Sequence, residues 1–151
     1  MTGVQTCALP ICTFLAALGL LFMTGCAVNR SSATVDPGTN LAVMKRMHVV
    51  KVKEDERGIN QLIADRLTKL GYTATTSAEK TVPGADAVVT YVDKWMWDIT
   101  MYMLELTVVV RDPSNDFALA SGNSFHTSLT RKSPTEMVEE VTNNIFKGAK
   151  K

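Results

Sequence analysis

The two histidines and the side chains around them are the first candidates for chemistry. His126 follows Ser124 in a stretch rich in hydroxyl residues, whereas His48 stands alone. A serine nucleophile with a histidine base and an acid would form a hydrolase site, and Asp112 or Asp116 could supply the acid across a hairpin. No serine lies in a nucleophile-elbow sequence, however, and hydroxyl residues on an exposed strand face are the simpler explanation. We therefore predict no catalytic residue.

A cluster of methionine and aromatic residues is the second candidate. It surrounds the turn between two predicted strands and consists of Tyr91, Trp95, Met96, Trp97, Met101, Tyr102 and Met103. Such side chains usually pack against each other or close the end of a core. Tryptophan and tyrosine are also favoured anchors at protein interfaces. The sequence therefore predicts a partner-binding surface formed by Trp95, Trp97, Tyr102, Met101 and Met103.

The methionines of this cluster leave a second interpretation open. Thioether sulfurs are soft ligands that suit Cu(I), and Met101 and Met103 would share one strand face. A small-ligand or copper-binding protein that uses Met96, Met101 and Met103 is therefore the alternative. We predict no metal ion, because the sequence has no HExxH motif and no paired metal-ligand spacing. It also has no phosphate-binding or nucleotide-binding motif, and its net charge of +1 does not indicate a nucleic-acid partner.

Cys26 has the most informative surroundings in the chain. An uncharged apolar run, 14–23, precedes it, and Met23-Thr24-Gly25-Cys26 has the pattern of the cleavage site in a bacterial lipoprotein signal peptide. The run is too short to cross a membrane and fits the hydrophobic region of a signal peptide. The thiol of Cys26 would carry a diacylglyceryl group. We therefore predict lipidation at Cys26, a membrane contact through that lipid, and no other cofactor.

The extreme start of the chain has a different origin. Residues 2–11 resemble the translation of a sequencing adapter, and no charged residue precedes Arg30, although signal peptides normally begin with lysine or arginine. We predict that residues 1–12 are an assembly artefact and that residues 13–25 are a truncated signal peptide. Cys26 is then the only native cysteine, so the folded part has no disulfide.

Residues 26–43 are predicted to be the lipidated cysteine and a flexible tether, because the segment is polar and rich in turn residues. If the host is Gram-negative, Ala27 directs the protein to the outer membrane, since retention in the inner membrane usually goes with aspartate at that position. The predicted location is the periplasmic side of the outer membrane.

Residues 44–151 are predicted to be a single α/β domain. Alternating or valine-rich stretches predict strands over 47–53, 72–76, 87–97, 102–111 and 117–129. Helical spacing predicts helices over 57–70 and after the capping box Ser133-Pro134-Thr135-Glu136. In the fourth of these strands the alternation places Leu104, Leu106, Val108 and Val110 on one face. The predicted fold is α+β, with two helices on one face of a mixed sheet of four to five strands.

The order of these elements resembles a broad group of small bacterial lipoproteins, which includes the curli-secretion lipoprotein and the lipoprotein activators of penicillin-binding proteins. The resemblance lies in the lipidation motif and tether, in residues 85–91, and in the strand, turn and strand over 110–122. It implies a fold and a compartment but assigns no functional residue. We expect a non-catalytic adaptor or accessory subunit of an envelope assembly, with an envelope protein as its partner.

Overall fold

The computed structural model describes residues 28–147. The elements in chain order are β1 (Asn29–Val35), β2 (Arg46–Val50), α1 (Ile59–Lys69), β3 (Thr73–Ser77), β4 (Ala87–Asp98), β5 (Thr100–Arg111), β6 (Ala118–His126) and α2 (Pro134–Phe146), with short 3-10 turns at Leu41–Val43 and Ser128–Thr130. The predicted artefact, signal peptide and lipidation site at Cys26 lie outside the described residues, as do residues 148–151.

The strands form one mixed sheet in the order β1-β6-β5-β4-β2-β3. β2 is parallel to β3 and β4, and the other neighbours are antiparallel. α1 packs on β2 and β3, while α2 packs on β1, β5 and β6, so that both helices cover one face. The mixed sheet and the two helices agree with the prediction, but the predicted number of four to five strands is wrong, because the described residues form six.

The additional strand is β1, which lies in the segment that we predicted to be a tether. Its side chains are all exposed, and its composition is polar, which is why it resembles a linker. β1 forms an edge of the sheet, and its backbone pairs antiparallel with β6 from Asn29, opposite His126, to Val35, opposite Ala120. Asn144 of α2 also donates a 2.6 Å hydrogen bond to Ser31 Oγ. These contacts with distant segments order the strand, and the prediction of a flexible tether is wrong for residues 29–35.

The two helices begin and end as local rules predict. Ser133 and Glu136 form the predicted capping box at the start of α2, with Pro134 at the first helical position. α1 ends before Gly71, which has the left-handed φ of 96° expected of a C-terminal cap. Within residues 28–147, neither helix has the length and hydrophobicity that a membrane span requires.

The β4–β5 hairpin is longer than the rest of the sheet. β2 pairs with β4 only over Met47–Val49, and β6 reaches β5 only as far as Glu105. A bulge interrupts the hairpin at that point: Lys94 pairs with Glu105 and Trp95 with Met103, so Leu104 has no partner. Leu104 is half-buried and does not belong to the core cluster of the described residues, whereas Leu106, Val108 and Val110, which the alternation grouped with it, do. The extra residue shifts the alternation and places Met103 and Leu106 on the buried face.

Candidate functional site

The outer part of this hairpin contains all the residues predicted to bind a partner. We call residues Trp95 to Met103 the arm. Within residues 28–147 the arm forms strand pairs only with itself. Side chains of cross-strand pairs lie on the same face, so Trp95 and Met103 share the face that continues the core, and Trp97 and Met101 continue it outward.

At the base of the arm, Trp95 and Met103 belong to the core and not to a free surface. Met103 is only 1% exposed, and Trp95 packs against the core cluster. The guanidinium of Arg57 lies 4.2 Å from the centroid of the Trp95 ring and covers it, while Asp93 accepts a hydrogen bond from the indole N–H. Met103 therefore offers no surface to a partner, and Trp95 is half-buried.

At the end of the arm, the apolar side chains face solvent. Trp97 is 69% exposed and Ile99 is 87% exposed, and Met96 and Met101 are exposed as well. We call Met96, Trp97, Ile99 and Met101 the apolar tip. Ile99 was not among the predicted site residues. The sequence feature that could have identified Ile99 is its position in the turn between two strands, where Gly, Asn or Asp is usual.

Ile99 also has an unusual backbone conformation. Its φ is 61°, in the left-handed region, which costs roughly 1–2 kcal/mol for a residue with a β-carbon. A β-branched residue at positive φ is rare, and strained residues tend to lie at functional sites. The turn thus keeps an exposed apolar side chain at a position where glycine would be more stable.

On the opposite face of the arm, the side chain of Arg131 contacts Tyr102 and Thr100. Met96 pairs with Tyr102, which is buried, and the Arg131 guanidinium lies 4.8 Å over the Tyr102 ring. Arg131 also donates a 2.7 Å hydrogen bond to Thr100 Oγ1. Since Met96 and Met101 lie on opposite faces and Met103 is in the core, the three methionines of the copper alternative do not form one exposed set of sulfur ligands.

The serine and histidine considered for catalysis meet a different acid from the two proposed. Ser124 Oγ donates to Glu140 Oε2 at 2.7 Å, and His126 Nε2 lies 2.7 Å from the same oxygen, while Asp112 and Asp116 lie in the β5–β6 turn. In a catalytic triad the imidazole stands between the serine and the acid. Here Ser124 binds the acid directly and has no exposed surface.

Glu140 is the centre of this buried cluster. Its other oxygen, Oε1, accepts a 2.8 Å hydrogen bond from Lys132 Nζ. Burial opposes the charge on Glu140, but the bonds from Lys132, His126 and Ser124 outweigh it and lower its pKa to about 2. His126 Nδ1 has no hydrogen-bond partner among residues 28–147. The cluster connects β6 to α2 and offers no accessible nucleophile.

His48 is also a structural residue. It is buried, with Nδ1 2.9 Å from Thr75 Oγ1 and Nε2 2.9 Å from the carbonyl oxygen of Glu79, so it connects β2 to β3 and to the loop that follows. No group of three or more histidine, cysteine or acidic side chains in the described part of the chain is arranged to hold a metal ion.

The sequence matches no protein-family profile and no curated protein. The fold, however, is shared with solved structures. It is similar to a dodecamer of a PelC variant from Paraburkholderia phytofirmans, with a TM-score of 0.59 and 14% identity over 78% of this chain and 97% of that one. A second PelC dodecamer from this organism gives 0.57 and 13% over 79% and 95%.

A DUF4136 family protein from Bacteroides thetaiotaomicron is similar at a TM-score of 0.50 and 10% identity, over 80% of this chain and 95% of that one. At such identities the comparison shows a common fold. The chain is therefore an α/β domain of a type found in bacterial proteins.

Proposed function

We propose that this protein is a lipid-anchored, non-catalytic accessory subunit of a cell-envelope assembly, on the periplasmic side of the outer membrane. The apolar tip is the observation that supports binding as its mode of action, because Trp97 and Ile99 are presented to solvent on an extended hairpin. The hydrogen bonds from Ser124 and His126 to Glu140 join β6 to α2 and support a structural role for both residues. The apolar tip is the contact surface that we assign to the protein.

Assembly from several copies is part of this proposal. PelC, which has the same fold, is a dodecamer. The six-stranded sheet has exposed edges at β1 and β3 and one face that neither helix covers, which are the kinds of surface that subunits use to associate. Membership of the group that includes the curli-secretion lipoprotein and the activators of penicillin-binding proteins likewise stays a prediction from the sequence.

The test is made in cells on the full chain with a restored start of the signal peptide. Palmitate labelling and cross-linking of isolated envelopes would be compared between the wild type and Cys26→Ala. We expect a labelled wild type that cross-links into one dominant species larger than the monomer, and an unlabelled variant that leaves the membrane fraction. A wild type that carries no label, or that yields only monomer, would contradict the proposal.

A further inference from the structure

We infer that the apolar tip contacts the phospholipid surface that holds the lipid on Cys26. The inference rests on the proposed function, because it takes Cys26 to be the anchored residue. It identifies a bilayer, and not a protein, as the surface that Trp97, Ile99 and Met101 meet. The arm and the start of the described chain lie at the same end of the sheet, which supports this inference.

The chain enters the sheet at the end from which the arm extends. Asn29, the first residue of β1, pairs with His126, the last residue of β6. The carbonyl of Val28 accepts a 3.4 Å hydrogen bond from the backbone N–H of Thr127. β6 ends where the arm begins, since Phe125 pairs with Glu105 of β5. Val28 therefore lies at the same end of the sheet as the arm.

The segment after β6 connects Val28 to the arm. It runs from Thr127 through the short turn Ser128–Thr130 to Arg131, whose guanidinium binds Thr100 and covers Tyr102 in the arm. Leu129 in this segment is 80% exposed. The segment after β6 thus contacts both the start of the described chain and the arm.

The reach of the arm matches the position of the lipid. If the register of Phe125 with Glu105 is continued, Thr127 is level with Met103, four positions before Ile99. At about 3.3 Å per residue, the tip projects about 13 Å beyond Val28. Cys26 is two positions before Val28, which spans about 7 Å at most. The tip therefore extends at least about 6 Å past the lipid attachment, and this lower limit falls within the roughly 5–10 Å to which interfacial elements insert.

The composition of this end suits a lipid surface. Six of the ten exposed large hydrophobic side chains among the described residues lie here: Val28, Met96, Trp97, Ile99, Met101 and Leu129. Tryptophan is favoured at the headgroup level, and aliphatic side chains are favoured just below it. Lys94 and Arg131 lie further from the membrane than the tip, where they form ion pairs with Glu105 and Asp98, so that these charged groups would lie at or behind the headgroups.

A protein partner fits this end less well. It would have to occupy the space between the domain and the membrane to which a short linker ties it. The bilayer needs no such space, because anchoring through Cys26 already brings it to the tip. Contact with lipid would also fix the orientation of the domain, which a single flexible attachment cannot do.

The two tryptophans of the chain provide a matched pair of reporters, because only Trp97 is in the tip. The W95F variant reports on Trp97, and the W97F variant reports on Trp95, which Arg57 covers. Residues 26–151 would be coupled through Cys26, their only cysteine, to a maleimide lipid in phosphatidylcholine vesicles. Vesicles with brominated acyl chains would be compared with unbrominated ones.

We expect Trp97 emission to shift to shorter wavelength and to fall roughly two-fold in brominated vesicles, as for an indole at interfacial depth. Trp95 emission should change little. The addition of Ile99→Asp to W95F should reduce the quenching, with an unchanged circular dichroism spectrum as the folding control. Trp97 emission that bromine does not affect would overturn the inference, as would a photo-cross-linker at position 97 that captures a protein and no lipid in native envelopes.

The vesicle experiment can fail or succeed independently of the proposed function. Chemical coupling supplies the anchor whether or not cells lipidate Cys26. An unlabelled protein in cells together with quenched Trp97 in vesicles would refute the lipoprotein proposal and leave the membrane affinity of the tip established. A labelled protein with unquenched Trp97 would refute only the inference.

Discussion

The imidazole of His126 and the carboxylate of Glu140 lie 2.7 Å apart and join the end of β6 to the middle of α2. Glu140 is the only acid in contact with this buried histidine among residues 28–147, and it also binds Ser124 and Lys132. A charged carboxylate with three donors holds the helix on the sheet beside β1. The stability of the domain should therefore depend on the ionisation of one group.

Replacement of Glu140 tests this dependence. The pKa of Glu140 is lowered to about 2 in the fold from 4.5, so its charged form stabilises the folded state above pH 4.5, and that stabilisation is lost as the pH falls towards 2. The difference corresponds to about 3 kcal/mol at pH 7. We expect Glu140→Gln to lower the free energy of unfolding at pH 7 by about 2–3 kcal/mol, measured by urea denaturation.

The same measurement at pH 3 separates charge from packing. The wild type should lose about 2 kcal/mol of the Glu140 contribution between pH 7 and pH 3, so the variant and the wild type should converge. Glu139→Gln is the control on the same helix, because Glu139 is more exposed and forms only a 3.5 Å ion pair with Arg66. Its effect should stay below about 1 kcal/mol. An equal gap between Glu140→Gln and wild type at both pH values would show that its charge is not responsible.

The bond between Tyr91 and Asp55 supports the start of α1. Tyr91 Oη donates to Asp55 Oδ2 at 2.6 Å, and the same carboxylate accepts the backbone N–H groups of Arg57 and Asn60, at 3.0 Å each. Gly58, the residue before α1, has no side chain to cap the helix. Burial opposes the charge on Asp55, but the bond from Tyr91 and the backbone bonds lower its pKa. Asp55 therefore replaces the missing cap.

Tyr91→Phe should destabilise the domain by about 2 kcal/mol, because it removes a hydrogen bond to a charged group. It also takes an acceptor from the N–H of Val52, which lies 3.3 Å from Tyr91 Oη. Tyr72→Phe is the matched control, since Tyr72 is buried through its ring against Phe146, and it should change stability by less than about 0.5 kcal/mol. Thermal unfolding of the two variants side by side distinguishes the hydroxyl bond from the ring.

Gly122 lies where β6 passes close to α2. It pairs regularly with Val108, and a β-carbon there would lie 2.8 Å from Ile145 Cγ1 and 3.0 Å from Val141 Cγ1. Gly122→Ala should cost about 1–3 kcal/mol by overpacking against α2. In an Ile145→Ala background the added cost should fall below about 1 kcal/mol in a double-mutant cycle. Ser121→Ala, on the uncovered face, is the control. If Gly122→Ala lowers the free energy of unfolding by the same amount in the Ile145→Ala background, the packing explanation is contradicted.

Local signals explain which parts of the fold could be predicted. The capping box at Ser133 and the glycine after α1 act within a few residues, so the sequence shows them directly. β1 could not be predicted, because its polar, exposed residues become a strand only through backbone pairing with β6. The strand number depends on that distant contact and was wrong for this reason.

The predicted contact surface likewise has one feature that the sequence shows and one that depends on contacts between distant residues. The aromatic and methionine cluster was visible in the sequence, and the hairpin brings it together. Its burial was not visible, because Arg57 covers Trp95 from another element and a bulge turns Met103 into the core. Of the five predicted contact residues, Trp97 and Met101 are exposed, and they remain a proposed site.

Ile99 is the residue where stability and binding should separate. Its left-handed φ of 61° is unfavourable for isoleucine and ordinary for glycine, and its side chain is 87% exposed, so little packing is lost on removal. Ile99→Gly should therefore raise the free energy of unfolding by about 1 kcal/mol. Val92→Gly, an exposed residue of β4 with an ordinary strand conformation, should instead destabilise the domain.

The same Ile99→Gly variant should bind phosphatidylcholine vesicles less well through its tip, because the most exposed apolar side chain of the arm is gone. Urea denaturation and bromine quenching of Trp97 in W95F measure the two effects on one protein. Greater stability together with weaker quenching would mean that the strained turn is maintained for contact with lipid, since a variant that merely damaged the fold would lose both. Lower stability would instead show that the Ile99 side chain is held by packing, and that its exposure does not mark a binding surface.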